Sequence, residues 1–249
     1  MLNYLKKSLF LALLLLSTQS HADEILVAVA SNFSETAKEI AAQFEQKTGH
    51  KVQLSYGATA KFYTQISQGA PFDVFLAADS ATPARLESEQ KAVKNSRFVY
   101  AVGRLVLWSA DANYVDAEGK VLQRDQYAHL AIANPALAPY GKAAMAVLQH
   151  LGITPNPEKV VTGENIGQTY QFVHSGNAQL GFVALSQVYS KGKITKGSAW
   201  MIPETYYPAI VQEAILLNKA EKNQAAIEFL AFLKTPQVKK LIADDGYSF

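Results

Sequence analysis

The segment 25–44 restricts the fold of this chain more than any other. Ile25-Leu26-Val27-Ala28-Val29-Ala30 is an unbroken apolar run of strand length. It is followed at once by Ser31-Asn32-Phe33 and then by a helical pattern in which Ala37, Ile40, Ala41 and Phe44 fall at i, i+3, i+4 and i+7. Asn32 and Glu35 have the spacing of a capping box, so a helix is expected to start at Asn32. The pattern then recurs. Lys51-Val52-Gln53-Leu54-Ser55-Tyr56 alternates like a half-exposed strand after Gly49, which suits a helix C-terminus. Gly57-Ala58-Thr59-Ala60 turns into a second helix with Phe62 and Ile66 on one face. Two such units on adjacent parallel strands place their turns side by side at the carboxyl edge of one sheet. Each turn ends in a helix N-terminus, whose unpaired N–H groups and positive dipole end favour an anion.

The later chain divides around two apolar runs. Asp73-Val74-Phe75-Leu76-Ala77-Ala78 is a third strand, and Asp79-Ser80-Ala81-Thr82-Pro83 opens a short helix. Asp73 and Asp79 read as a strand-edge acid and a helix-capping acid rather than a catalytic pair, since no His or third acid accompanies them. Residues 98–109 are nearly all apolar around Gly103-Arg104, too long for one strand and suited to crossing between two units. A matching run occupies 209–217. Between them lie a strand at 130–133, a turn-rich loop, a helix over 142–151, Val160-Val161, a loop at Gly163-Glu164-Asn165-Ile166-Gly167 leading into a helix, and a buried strand at 180–185. Beyond the second run, 225–233 is helical, and Thr235-Pro236 supplies an N-cap and first-turn proline for a helix over 237–243 that packs back on the first unit. The expected architecture is α/β: a first domain of 23–103 with 209–249, a second of 104–208 inserted into it, and a clamshell cleft between.

Residues 1–22 read as a secretory signal: Lys6-Lys7, an apolar stretch, and Ser20-His21-Ala22 before a cleavage point at Asp23. The apolar stretch is too short to span a bilayer, and no later run approaches about 20 residues. Without Lys6 and Lys7 the chain holds 21 basic and 21 acidic residues, a balance that argues against a nucleic-acid partner. There is no cysteine, hence no disulfide and no lipid-bearing Cys, which fits export to a bacterial periplasm.

Enzyme signatures are missing. Neither Gly-x-Ser-x-Gly nor His-Glu-x-x-His occurs, and no two histidines have metal-ligand spacing. Gly141-Lys142 lacks the upstream Gly and the following hydroxyl of a phosphate loop. What remains is a set of four helix starts carrying small or hydroxyl residues: Ser31-Asn32, Ala58-Thr59, Tyr140-Gly141 and Asn165-Ile166-Gly167. One such start is usually a cap. Four of them, two on each side of the expected cleft, point to an anion held by neutral dipoles, with Lys61 and Lys142 one turn inside.

These residues bring the chain to a known family. Val29-Ala30-Ser31-Asn32-Phe33, Tyr56-Gly57-Ala58-Thr59-Ala60-Lys61, Gly69-Ala70-Pro71-Phe72-Asp73-Val74-Phe75 and Gly103-Arg104-Leu105-Val106-Leu107-Trp108 are its first four motifs. Ala133-Asn134-Pro135, Ala138-Pro139-Tyr140-Gly141, Gly163-Glu164-Asn165-Ile166 and Gly181-Phe182-Val183-Ala184-Leu185-Ser186 complete the set. In order and spacing they resemble the periplasmic molybdate-binding proteins of ABC import systems over essentially the whole exported length.

The resemblance implies a type II periplasmic-binding-protein fold, with two α/β domains, a two-stranded hinge and the oxyanion in the interdomain cleft. Carried over by position, it implies that Ser31 gives its hydroxyl and N–H to the anion and that Thr59 stands where Ser is usual. Tyr140 and Ile166 would give backbone N–H groups from the second domain. Some members supply a Tyr hydroxyl from the strand where this chain has Ala184; others use Asn beside the first Ser together with the loop Tyr. Asn32 and Tyr140 match the second pattern. Contacts go through the oxygens of molybdate or tungstate, no protein group ligates the metal, and no cofactor is expected. The implied role is a monomeric, non-enzymatic receptor that hands its ligand to the membrane permease of an ABC importer. The same cleft holding sulfate or another small anion is the alternative; a secreted hydrolase using Ser31 or Thr59 is a remote one.

Overall fold

A computed structural model describes residues 23–249; the expected signal segment, 1–22, lies outside them. Two five-stranded sheets form the two halves of the molecule. Strand β1 (Glu24–Ala30) is buried along nearly its whole length, because β2 (Lys51–Gly57) and β3 (Val74–Leu76) pair with it in parallel on either side. Parallel strands connected through helices are covered on both faces, which is why β1 reads as a continuous apolar run. Helices α1 (Ser34–Thr48) and α2 (Thr59–Ser67) make the connections, and α3 (Ala81–Ser88) follows β3. Gly49, with φ at 80°, ends α1 and returns its N–H to the Glu45 carbonyl.

Asp73 and Asp79 are structural. The Asp73 carboxylate accepts from the Leu26 N–H at 2.7 Å and faces Lys219, and Asp79 caps the turn into α3 by accepting from the Thr82 N–H at 2.8 Å.

The long apolar run is two strands in two sheets. β4 (Phe98–Gly103) belongs to the first, Arg104 is the joint, and β5 (Leu105–Ser109) belongs to the second. After the one-turn helix α4 (Val121–Arg124) come β6 (Leu130–Ala133), α5 (Pro139–His150), β7 (Val160–Gly163), α6 (Ile166–His174) and β8 (Leu180–Ala184). A small hairpin, β9 (Tyr189–Ser190) with β10 (Lys193–Ile194), and β11 (Ser198–Met201) precede the return. Strand β12 (Ile210–Leu216) then runs antiparallel between β3 and β4. The sheet orders are β2-β1-β3-β12-β4 and β11-β5-β8-β6-β7.

Helices α7 (Gln224–Leu233) and α8 (Pro236–Asp244) close the chain. The Thr235 hydroxyl caps α8 as expected, and Val238 and Ile242 join the core formed by Val27, Ile40 and Phe44. The C-terminus is stitched to the first sheet through paired backbone bonds between Ser248 and Val102. Two expectations are corrected in detail. The second-lobe helix begins at Pro139 rather than 142, because Ala138 is extended and Pro139 supplies a preset first-turn φ. The start of α1 has no capping box: a 3-10 turn over Ser31–Phe33 leads into it, and no side chain caps either.

Candidate functional site

The carboxyl ends of β1, β2 and β3 face those of β6 and β7 across the gap between the sheets. All four predicted helix starts meet there. A cavity between the lobes is lined by Asn32, Ala58 and Thr59 from one side and by Pro139, Tyr140, Asn165 and Ile166 from the other. Its volume is about 10 Å³. Sites for drug-sized organic molecules run to several hundred Å³, so this one excludes them and leaves only ligands of the smallest class. Among the described residues, none that lines it carries a charged side chain.

Thr59, Tyr140 and Ile166 sit in the first turns of α2, α5 and α6, and their N–H groups have no acceptor among the described residues. Three helix dipoles thus present unpaired donors to one volume between the lobes. The Thr59 hydroxyl accepts from the Ala78 N–H at 3.1 Å, which leaves its own proton free. Asn165 is occupied as the α6 cap, accepting from the Gln168 N–H at 2.9 Å.

Ser31, unlike its neighbours Ala30 and Asn32, is not in the cavity lining, and its hydroxyl donates to the Gly57 carbonyl at 3.0 Å, tying the ends of β1 and β2 together. Neither hydroxyl has a base beside it, so neither is set up as a nucleophile.

Asn32 neither caps a helix nor faces solvent. Its amide nitrogen donates to Gln212 Oε1 at 2.8 Å and to the Tyr247 hydroxyl at 3.1 Å. Its Oδ1 is buried without a partner. Gln212 in turn accepts from the Tyr100 hydroxyl at 3.0 Å and donates from Nε2 to the Tyr140 hydroxyl at 3.2 Å. Ser186 of the second lobe donates to the Asn32 carbonyl at 2.9 Å, and Tyr247 also bonds Ser186.

This network lies directly behind the cavity, and the roles of Gln212, Tyr247, Tyr100 and Ser186 in it are not legible in the sequence. The one available sign is that Gln212 and Glu213 interrupt an otherwise apolar β12. Burial pushes the hydroxyls of Tyr100, Tyr140 and Tyr247 well above the ordinary tyrosine value of 10.0. They are therefore neutral donors across the whole physiological range.

A stability prediction follows from the sign of those shifts. The folded state holds these protons more tightly than the unfolded chain does, so the contribution is complete below pH 10 and lost above it. Denaturation midpoints should be flat from pH 7 to 9. Above pH 10 stability should fall by about 1.4 kcal/mol per pH unit for each of the three tyrosines. An unchanged midpoint at pH 11 would show that the three hydroxyls are not held neutral.

The lobes are closed on the cavity by Ala60 N–H to the Leu137 carbonyl at 3.2 Å, by Ser186, and by Lys61 with Glu164 at 2.7 Å. The last pair is exposed on both sides, so Lys61→Ala should change anion affinity less than about fivefold, a loss that high salt removes. A titration of that variant at two salt concentrations checks it.

The sequence and the fold are similar to those of known proteins. Residues 25–248 match the family described as bacterial extracellular solute-binding protein. The chain belongs to that family. This solute-binding protein is 53% identical to the molybdate-binding protein ModA of Azotobacter vinelandii over 94% of its own chain and 93% of the relative. It is 50% identical to that of Rhodobacter capsulatus over 93% and 91%. The solved structure of the A. vinelandii periplasmic molybdate-binding protein superposes with a TM-score of 0.87 at 41% identity, covering 90% of this chain and 99% of that one. The two-domain fold with a hinge and an interdomain cleft is that of the type II periplasmic binding proteins, as the motifs implied.

Proposed function

We propose that this protein captures molybdate or tungstate in the periplasm and delivers it to the permease of an ABC importer, acting as a monomer and without catalysis. The observation that carries the reading is the interdomain cavity with no charged residue among those lining it, to which Thr59, Tyr140 and Ile166 contribute helix-start N–H groups without acceptors among the described residues. The names of its relatives support the choice of anion. The Thr59 hydroxyl and the N–H groups of Ser31 and Asn32 complete the donor set, and the Ser31 hydroxyl joins it by turning away from Gly57. The two lobes correspond to 23–103 with 209–249 and to 104–208, a division supported by the joint at Arg104 between β4 and β5 and by the start of β12 at Ile210.

Donors of this kind select by charge state. Molybdate and tungstate carry no proton at neutral pH, whereas hydrogen phosphate carries one that needs an acceptor. Leaving that proton against N–H groups is the unfavourable contact that rejects phosphate. Sulfate carries no proton either, and a smaller tetrahedron cannot reach donors on both lobes at once.

Because the donors are divided between lobes, only the closed form satisfies every oxygen, and the anion shifts the open–closed balance toward it. The permease would read that closed shape. Melting the purified protein with each oxyanion tests the reading. At a thousandfold excess over Kd, binding adds about 4 kcal/mol of stability. Molybdate and tungstate should raise the melting temperature; a rise with sulfate alone would overturn the assignment.

A further inference from the structure

We propose that Gln212 is a positioning residue for the anion site, the single amide that decides which of Asn32 and Tyr140 donates to the ligand. The proposal rests on the oxyanion-binding reading above and adds a residue that touches the cavity only through others. Gln212 is fully buried on β12 and stands at the one register irregularity of the β12–β4 pairing. It bonds one cavity residue from each lobe, Asn32 at 2.8 Å and Tyr140 at 3.2 Å. Gly103, where β4 leaves the first sheet, lies against the same pair: a methyl group there would overlap both the Tyr140 hydroxyl and Gln212 Nε2. The amide therefore sits at the hinge and holds both half-sites.

A primary amide has one accepting end and one donating end, and this is what makes the arrangement selective. As placed, Nε2 donates to the Tyr140 oxygen, so the Tyr140 proton is free for the cavity. Both Asn32 N–H groups are then taken by Gln212 and Tyr247, and Asn32 Oδ1 is left buried with no partner. Turning over the two amides together reverses the assignment. Gln212 Nε2 then donates to Asn32 Oδ1, the Tyr140 hydroxyl donates to Gln212 Oε1, and the Asn32 amide nitrogen is released toward the cavity it lines. Tyr100 accepts the second Nε2 proton and passes its own to the Ala77 carbonyl, which already lies at 3.2 Å. In either arrangement one donor of the pair faces the ligand and the other is held back. The reversed one also removes a carbonyl oxygen from a site for a dianion, and it is the arrangement the bound form adopts.

Gln212→Glu tests this, because an ionised carboxylate accepts from both neighbours and leaves neither to the anion, while a neutral carboxyl keeps one donor and one acceptor. The titratable groups facing position 212 are Tyr100 from β4, Tyr140 from α5 and Tyr247 from the C-terminus, all held neutral by burial. Asp79 lies beyond Tyr100, and the adjacent Glu213 is paired with Arg97 at 3.0 Å.

Molybdate is titrated calorimetrically into wild type, Gln212→Glu and Gln212→Leu at pH 6, 7 and 8.5, with the melting temperature of each ligand-free protein as a folding control. Wild type should be flat across this range. Gln212→Glu should bind within about tenfold of wild type at pH 6 and at least a hundredfold weaker at pH 8.5. Gln212→Leu should be weakened about tenfold at every pH. Should the leucine variant fail to fold, the pH dependence of Gln212→Glu decides alone. Wild-type affinity in Gln212→Glu at pH 8.5, or a loss independent of pH, would overturn the proposal. A wild type that takes up neither molybdate nor tungstate would instead overturn the oxyanion reading itself.

Discussion

Replacing Gly167 with valine should weaken molybdate binding by at least a hundredfold, about 2.7 kcal/mol, while leaving the ligand-free protein folded. Gly167 is in the first turn of α6, on the second lobe, yet a methyl group built on it would lie 3.1 Å from Ser31 Cβ on the first. It would lie equally near Asn165 Oδ1. Alanine is tolerated at such a distance by a shift of a few tenths of an ångström. Valine adds two branches that meet Ser31, and the least costly relief is to keep the lobes apart. On the proposed reading, with the lobes apart the N–H groups of Ile166 and Tyr140 would no longer reach an anion bound at Thr59 on the other lobe. Calorimetric titration of Gly167→Ala and Gly167→Val checks this, with melting temperature as the control. The alanine variant should lose tenfold or less. Wild-type affinity in Gly167→Val would mean that closure at this contact is irrelevant to binding.

The largest loss of stability is expected at Phe33. This side chain is fully buried behind the Ser31–Phe33 turn, edge-on to Tyr100 at 4.8 Å and to Tyr247 at 5.4 Å between ring centroids. Truncating a buried Phe to Ala typically costs 3–5 kcal/mol, through lost transfer energy and the cavity left behind. For a chain of this size that is a fall of roughly 10 °C in melting temperature. Because Phe33 also holds the two tyrosines that reach Gln212 and Asn32, affinity should fall along with stability. A Phe33→Leu variant, which keeps most of the volume, should recover most of both. Thermal melts and titrations of the pair make the check, and a loss below 1 kcal/mol in Phe33→Ala would mean the turn is not anchored through this ring.

Much of the architecture is legible in the sequence because local chemistry and tertiary fate agree there. The apolar run of β1 is buried on both faces, Gly49 takes the left-handed φ it suits, and Thr235-Pro236 caps the last helix as its spacing requires. The split of residues 98–109 between two sheets follows from length alone.

What the sequence conceals depends on distant partners. Asn32 has the spacing of a capping box, yet its amide is claimed by residues 180 and 215 positions away, and no local rule can weigh them. β11 is missed because only Trp200 of its four residues is buried, and its pairing with β5 joins segments some ninety residues apart. The candidate site shows the same division. The backbone donors at Thr59, Tyr140 and Ile166 come from helix starts, which are readable. The buried network of Gln212, Tyr100 and Tyr247 that backs them is made by the return strand and the C-terminus, and only the polar interruption of β12 hints at it.

In the proposed function a tetrahedral oxyanion draws the two lobes together by occupying donors on both. The chain has no native cysteine, so two labelling sites can be introduced without background. Thr64 on α2 and Ala136 on the loop before α5 are both exposed, one on each lobe near the Ala60–Leu137 contact. Spin labels on Thr64→Cys and Ala136→Cys report the distance across the cleft mouth. Saturating molybdate should collapse the distance distribution to a single short population, and sulfate at the same concentration should leave it broad. An identical distribution with and without molybdate would show that the anion does not close the lobes.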